Sequence, residues 1–422
     1  MNSLTKFKKI RAKIIFYSAQ LVVGFYPINI LLMIATVLLI IAVCYHLVFG
    51  YFVATIALAI IVNIIYRETK SINKLRSLRA IADKKNFENY NSENQNLCLI
   101  CVDDTLDIFQ NKLKSYRKLD LKKWGDQLRV TCNYSTFLNF EQALNQQLNQ
   151  QLNQQLNGNK VNDDTNCIID GIYFFGHNDF DHITLALLKR ISTPFNLLLF
   201  DAHADWHTLY PYHIMCGSWV REAFEATHLK TLFHVGGIEG AFDSTDHWWD
   251  SAECYGSALK MQNIINQDRI RMLPSNREFN CNSFFDYTSC HNRPLIKNGK
   301  FDRNSFDAFL KKEKDKLQKY PLYIAIDKDV LRTQDNIQTW KEGVLSIDEL
   351  EYVLQGFIKT SKTIVAASIC GEYGESSYTS CFHPGNIMEV LTKMLYARNS
   401  YKIYSLEQNY QTNLRLINCF KK

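Results

Sequence analysis

Between residues 26 and 66 the chain runs forty-one positions without an Asp, Glu, Lys or Arg. One membrane-crossing helix needs about 20 apolar residues, so the block is long enough for two. A glycine, a histidine and aromatics gather at His46–Tyr51, near its middle. The pattern predicts a transmembrane helical hairpin, outward over about Ile28–Tyr45 and back over about Tyr51–Tyr66. The late start and the length exclude a cleaved signal peptide. Residues 67–96 turn polar and read as a helix followed by a linker rich in Asn, Glu and Ser. Further on, apolar runs alternate with helical patterns: 172–175, 183–191, 196–200, 217–228, 231–236, 322–326, 347–359 and 363–369. That alternation predicts an α/β domain with a mainly parallel sheet.

Two stretches fit this scheme less well. Leu144, Leu148, Leu152 and Leu156 mark a Leu-Asn-Gln-Gln repeat. A spacing of four lays leucines along one helical stripe. The segment near 143–158 reads as a low-complexity insertion, either a surface helix or a loop. Residues 240–320 are aromatic and Asn-rich, with weak periodicity.

Charge sharpens the picture of the N-terminus. Residues 1–25 hold Lys6, Lys8, Lys9, Arg11 and Lys13 with no acid, and Arg67, Lys70, Lys74, Arg76 and Arg79 follow the second span. Basic flanks mark the cytoplasmic side, and both ends of a hairpin share a side. The expected location is an inner or cytoplasmic-type membrane, crossed twice, with the remaining chain cytoplasmic. Residues 1–85 carry twelve basic and two acidic side chains, whereas the whole chain is only +6. The basic excess therefore belongs to the membrane flanks, and no nucleic-acid partner is expected. Twelve cysteines are scattered. Cys98 and Cys101 sit in a strand-like run, where their side chains face opposite ways. Reduced thiols are expected.

The candidate chemistry lies in Asp201-Ala202-His203-Ala204-Asp205, directly after the apolar run Phe195–Phe200. In an extended chain, positions i, i+2 and i+4 point to one side. Two carboxylates and an imidazole converging at a strand end suit a hard or borderline divalent ion. Asp327 and Asp329 repeat the arrangement after Tyr323–Ile326. Two strands delivering ligands at their carboxyl ends is how open α/β sheets build sites.

On these residues the chain resembles the ureohydrolase family of arginases and agmatinases, on the arginase/deacetylase fold. Asp201, Ala202, His203 and Asp205 match its Asp-Ala-His-x-Asp motif. Ala325–Leu331 mirrors its Asp-x-Asp segment, Cys370-Gly371-Glu372 its late Glu, and His234–Ile238 its strand and glycine turn. Asp181-His182 keeps part of its first motif. The resemblance implies a three-layer arginase-like domain over 97–422. It also implies a binuclear manganese-type centre, with zinc as the alternative, held by His182, Asp201, His203, Asp205, Asp327 and Asp329. Asp205 would bridge the ions and hold a bridging hydroxide, and Glu372 would bind a cationic group of a guanidino or amide substrate.

The chain also departs from the family. The Gly-Gly before Asp-His is absent, and His177 is a rival to His182. Cys216-Gly217 stands where the family has His-Gly, so either His207 or His213 would handle the proton or the reaction would differ. Trp206–Tyr210 lacks the polar residues that hold an amino acid in arginases. Three functions compete: a membrane-anchored two-metal hydrolase cutting a C–N bond, a one-metal zinc deacetylase-like hydrolase, and a non-enzymatic membrane-linked binding protein. The expected partners are a small-molecule substrate and the membrane through residues 26–66, with a homo-oligomer left open.

Overall fold

The computed structural model describes residues 97–110, 113, 115–155, 171–206, 213–237, 263–275, 291–292, 294–297, 300–337, 343–373 and 406–421. All belong to one compact unit, Asn89–His383 with Glu389–Lys422. The basic segment, the apolar block 26–66, the linker and His207 lie outside the described residues. Among the described residues no helix is long and apolar enough to cross a membrane.

Among the described residues, nine strands form one sheet in the order β2-β1-β4-β13-β12-β5-β7-β8-β9. The central ones are β4 (Ile172–Phe174), β13 (Ile364–Cys370), β12 (Leu322–Asp327), β5 (Phe195–Asp201) and β7 (Leu229–Gly236). Flanking them are β1 (Leu97–Cys101) and β2 (Arg117–Asp120) on one side, β8 (Ile270–Pro274) and β9 (His291–Asn292) on the other. Every pairing in this sheet is parallel. Strands covered on both faces need apolar side chains in both directions, so they read as unbroken hydrophobic runs. β5 shows the division. Leu197 and Leu199 enter one core, and Leu198 and Phe200 enter the other. Cys98 and Cys101 split the same way, as the strand reading requires.

One face is covered by α1 (Tyr134–Gln155), α2 (Ile183–Leu188) and α3 (Trp219–Ala226), which bring Phe137, Phe140, Leu187 and Trp219 to the first core. The other is covered by α4 (Arg303–Lys319), α5 (Ile347–Thr360) and α6 (Leu406–Cys419), with Phe309, Phe357 and Leu414. Ser346 starts α5 with a reciprocal capping box to Glu349, an arrangement written in the sequence as Ser-x-x-Glu. Part of the weakly patterned stretch 240–320 is thus α4, whose inward residues Phe306, Phe309, Leu310, Glu313 and Leu317 recur at helical spacing.

The Leu-Asn-Gln-Gln segment takes the helical one of its two expected forms. Through Gln155 it is the second half of α1. Leu144 and Leu148 are buried in the first core. Asn145 and Asn149 accept hydrogen bonds from Arg190 at 2.5 and 2.9 Å. Gln147 and Gln151 donate to the carbonyls of Asp120 and Lys118 on the edge strand β2, at 3.1 and 2.8 Å. Four helical residues rise about 6.0 Å and two strand residues about 6.6 Å, so a period of four tracks alternate carbonyls of a strand.

Candidate metal centre

β5, β12 and β13 are adjacent, and their carboxyl ends deliver Asp201, Asp327 and Cys370 side by side. Asp327 pairs with Cys370 across the sheet. β4 is the next strand, and the turn after it carries Asp181. β4 and β5 are successive along this part of the chain yet separated by β12 and β13, so the crevice lies where the connections part, as expected for open α/β sheets.

Both Asp-x-ligand motifs use the same local device. The Oδ1 of Asp201 accepts from the His203 N–H at 2.6 Å, and that of Asp327 from the Asp329 N–H at 2.9 Å. Each is a turn closed by an aspartate on the backbone two residues on. Asp329 then ties the motifs together, accepting from the Ala202 N–H at 2.9 Å and meeting His203 Nδ1 at 2.8 Å. The buried His234 ring donates Nε2–H to the His203 carbonyl at 2.6 Å. Asp205 adopts φ 54°, a left-handed conformation that Asp tolerates better than most residues. It is held there by the Val220 N–H on its carbonyl and by Trp219 Nε1 on its Oδ2 at 2.8 Å. Trp219 also donates to Asp181.

Three sets of donor atoms result, each within 4.8 Å: Asp181 with Asp201 and Asp205; Asp201 with His203 and Asp329; Asp181 with Asp327 and Cys370. Five of the six sequence-predicted ligands are thus brought together. His182 is not among them. It stands at the N-terminal boundary of α2, fully buried, with its ring 6.3 Å from that of Phe137. His177 is not among them either; its Nδ1 accepts from the Asp179 N–H at 3.0 Å. The member from this motif is Asp181, one residue earlier, because the turn Asn178–Phe180 rotates the chain before α2 begins.

Two proposed catalytic residues also sit apart from these sets. His213 opens β6 (His213–Met215), which pairs antiparallel with β3 (Thr131–Asn133). Glu372 is engaged by the fully buried Lys328 ammonium, and Asn413 Nδ2 donates to the same oxygen at 2.6 Å. Lys328 falls between Asp327 and Asp329, and its Nζ also donates to Asn413 at 2.8 Å. Lys328, Asn413 and Cys370 were not singled out from the sequence. A lysine inside an Asp-x-Asp motif was the one visible signal, since burial there demands a carboxylate.

Asp181, Asp201, Asp205, Asp327 and Asp329 are each 5% exposed or less. Burial raises the pKa of the first four, and the facing carboxylates push Asp201, Asp205 and Asp327 up further. Burial alone would lower His203, but Asp329 outweighs it and the ring rises to about 9. Burial lowers His234 to about 4, so it stays neutral. Burial and the neighbouring aspartates raise both Cys216 and Cys370. A divalent cation answers this excess of buried negative charge. Asp201 Oδ2, buried and accepting no hydrogen bond among the described residues, is an oxygen such an ion fits.

A parallel sheet with carboxylates and an imidazole gathered at its central strand ends defines an α/β protein with a candidate metal centre at the sheet edge. The sequence profile of the arginase family matches residues 115–370, more than half of the chain, and the chain belongs to that family. An uncharacterized protein of Thermotoga maritima is 26% identical over 202 residues, 48% of this chain and 58% of its own length. The chain therefore spans less than two thirds of that relative. Bacillus subtilis arginase is 12% identical with a TM-score of 0.38, covering 73% of this chain and 99% of its own. Entamoeba histolytica arginase is 14% identical at 0.37, covering 73% and 99%. Those two likenesses carry no weight beside the family match.

Proposed function

We propose that this chain is a membrane-anchored, two-metal hydrolase that cleaves a C–N bond of a small molecule. The observation that carries it is the set of five buried aspartates and His203 gathered at adjacent strand ends. Asp181, Asp201 and Asp205 would hold one ion, with Asp327 beside it, and Asp201, His203 and Asp329 the other. Two such ions supply an acidified water near neutral pH. Asp205, fixed by Trp219 and the start of α3, orients the attacking water by hydrogen bond. His234 holds the loop at His203 in place.

The buried ion pair supports an amide over a guanidino substrate. Glu372 already faces an internal cation, Lys328, and a substrate guanidinium would have to displace it. The forty-one-residue apolar block with basic flanks supports the hairpin anchor.

A second reading has its own support. Asp201, His203 and Asp329 form the set a one-metal deacetylase-like hydrolase would use. Metal analysis of the purified protein separates the readings, together with a screen of acylamino and guanidino compounds for released amine or urea. Two ions per chain and amine release are expected. One ion with amine release favours the second reading, and bound metal without any turnover favours a binding protein.

A further inference from the structure

Cys370 closes β13 and is 1% exposed. Its Sγ donates to Asp181 Oδ1 at 3.1 Å. That sulfur, with one oxygen each from Asp181 and Asp327, makes a set of donors all within 4.8 Å of one another. The placement is fixed by the sheet. Cys370 lies directly across from Asp327 in the parallel pairing of β12 and β13, so both sit at the same level at the sheet edge. Gly371 follows at φ +89°, where a Cβ would meet Asp327 Oδ1 at 2.7 Å. The chain can turn there only as glycine, immediately after presenting the sulfur. Asp181 belongs to this set and to the one with Asp201 and Asp205, so the two sets share a carboxylate. In that neighbouring set Asp201 Oδ2 is buried and accepts no hydrogen bond among the described residues, an oxygen that fits a cation.

We propose that Cys370 is a sulfur ligand of the ion held by Asp181 and Asp327, giving a mixed carboxylate–thiolate centre that selects zinc, cobalt or iron over manganese. The inference rests on the metal-centre reading above and replaces its manganese-type expectation. Purely carboxylate and imidazole donors leave manganese competitive, whereas a thiolate favours the softer, later divalent ions. When the ion binds, the S–H bond breaks, a metal–sulfur bond forms and the proton leaves to solvent.

The test loads the metal-free full chain with Co²⁺ and records its near-ultraviolet spectrum and cobalt content. The expected result is a sulfur-to-cobalt charge-transfer band that Cys370→Ser abolishes and Cys216→Ser retains. The zinc-to-manganese binding ratio should fall roughly ten-fold or more in Cys370→Ser. X-ray absorption on the unmutated, zinc-loaded protein needs no variant to fold; it should show a sulfur at about 2.3 Å beside nitrogen and oxygen near 2.0–2.2 Å. Bound metal with no sulfur scattering and no band overturns the thiolate ligand while leaving the metal centre standing. A band lost in Cys216→Ser and kept in Cys370→Ser overturns it too. Failure to bind any ion overturns both readings.

Discussion

At the scale of single residues, the difference between Asp181 and His182 decides what the first motif contributes. Asp181→Asn should lose about one ion per chain, because an amide is a poorer ligand for a hard cation. His182→Ala should keep its metals and lose roughly 2 kcal/mol of stability, the cost of a small cavity beside Phe137. Metal counting by atomic absorption with denaturant unfolding reads both effects. Loss of an ion in His182→Ala alone would restore the histidine as ligand. The same buried acids set a pH dependence for the metal-free protein. Asp181, Asp201, Asp205 and Asp327 have folded values raised above the unfolded ones, so their contribution is complete below about pH 4 and is lost as pH rises. His203, raised to about 9, adds stability that is lost as pH climbs from its unfolded value through about 9. His234, lowered to about 4, acts in the opposite sense below its unfolded value. Metal-free protein should therefore melt at a higher temperature near about pH 5.5 than near about pH 8.5. Saturating metal should remove or reverse that slope, because the ions bind the ionised carboxylates. A calorimetric scan of the metal-free form that melts higher at the alkaline end would contradict the carboxylate cluster.

At the scale of elements, α1 shows why composition misleads. The Leu-Asn-Gln-Gln repeat looks featureless, yet its letters have separate tasks once the helix lies on the sheet. Leu144 and Leu148 fill the core, Asn145 and Asn149 hold Arg190, and Gln147 and Gln151 cap the exposed edge of β2. Covering that edge also removes a template for unwanted strand pairing. Leu148→Ala should cost about 2–4 kcal/mol. Gln147→Ala and Gln151→Ala should each cost about 1 kcal/mol. Gln146 and Gln150 are exposed, and alanine there should change stability by less than about 0.5 kcal/mol. Urea unfolding of the five variants orders them, and a flat series would deny the helix its place against β2. α6 is the second such element. Its Asn409 and Asn413 reach Glu372 and Asn413 reaches Lys328, so the last helix of the chain steadies the ion pair next to the Asp-x-Asp motif.

Over the chain as a unit, the arginase-family domain and the N-terminal apolar block separate cleanly in sequence. The candidate ligands among the described residues run from Asp181 to Cys370. Deleting residues 1–70 should release protein into the soluble fraction with its metals retained. Reporter fusions at residues 48 and 422 should fall on opposite sides of the membrane, since basic flanks on both sides of the block favour a hairpin with both ends cytoplasmic. Both reporters on one side, or full-length protein in the soluble fraction, would mean that residues 26–66 are buried within protein instead.

What the sequence determined by itself was local or periodic. Unbroken apolar runs announced β4, β5, β7, β12 and β13, because strands covered on both faces must be apolar throughout. The spacing of Asp201, His203 and Asp205, and of Asp327 and Asp329, announced the donor set, although the structure gathers them through aspartate-closed turns past the strand ends, with Asp205 left-handed, and not through an extended chain. What the tertiary structure alone decided depended on contacts far apart in the chain. Asp181 rather than His182 joins the cluster because a short turn rotates the chain before α2. Cys370 meets Asp181 across 189 positions because β4 and β13 are neighbours in the sheet. Lys328 finds Glu372 because β12 and β13 are adjacent, and Asn413 because α6 reaches that end of the sheet. Neighbours of that kind follow from strand order and helix packing, and neither periodicity nor composition encodes them.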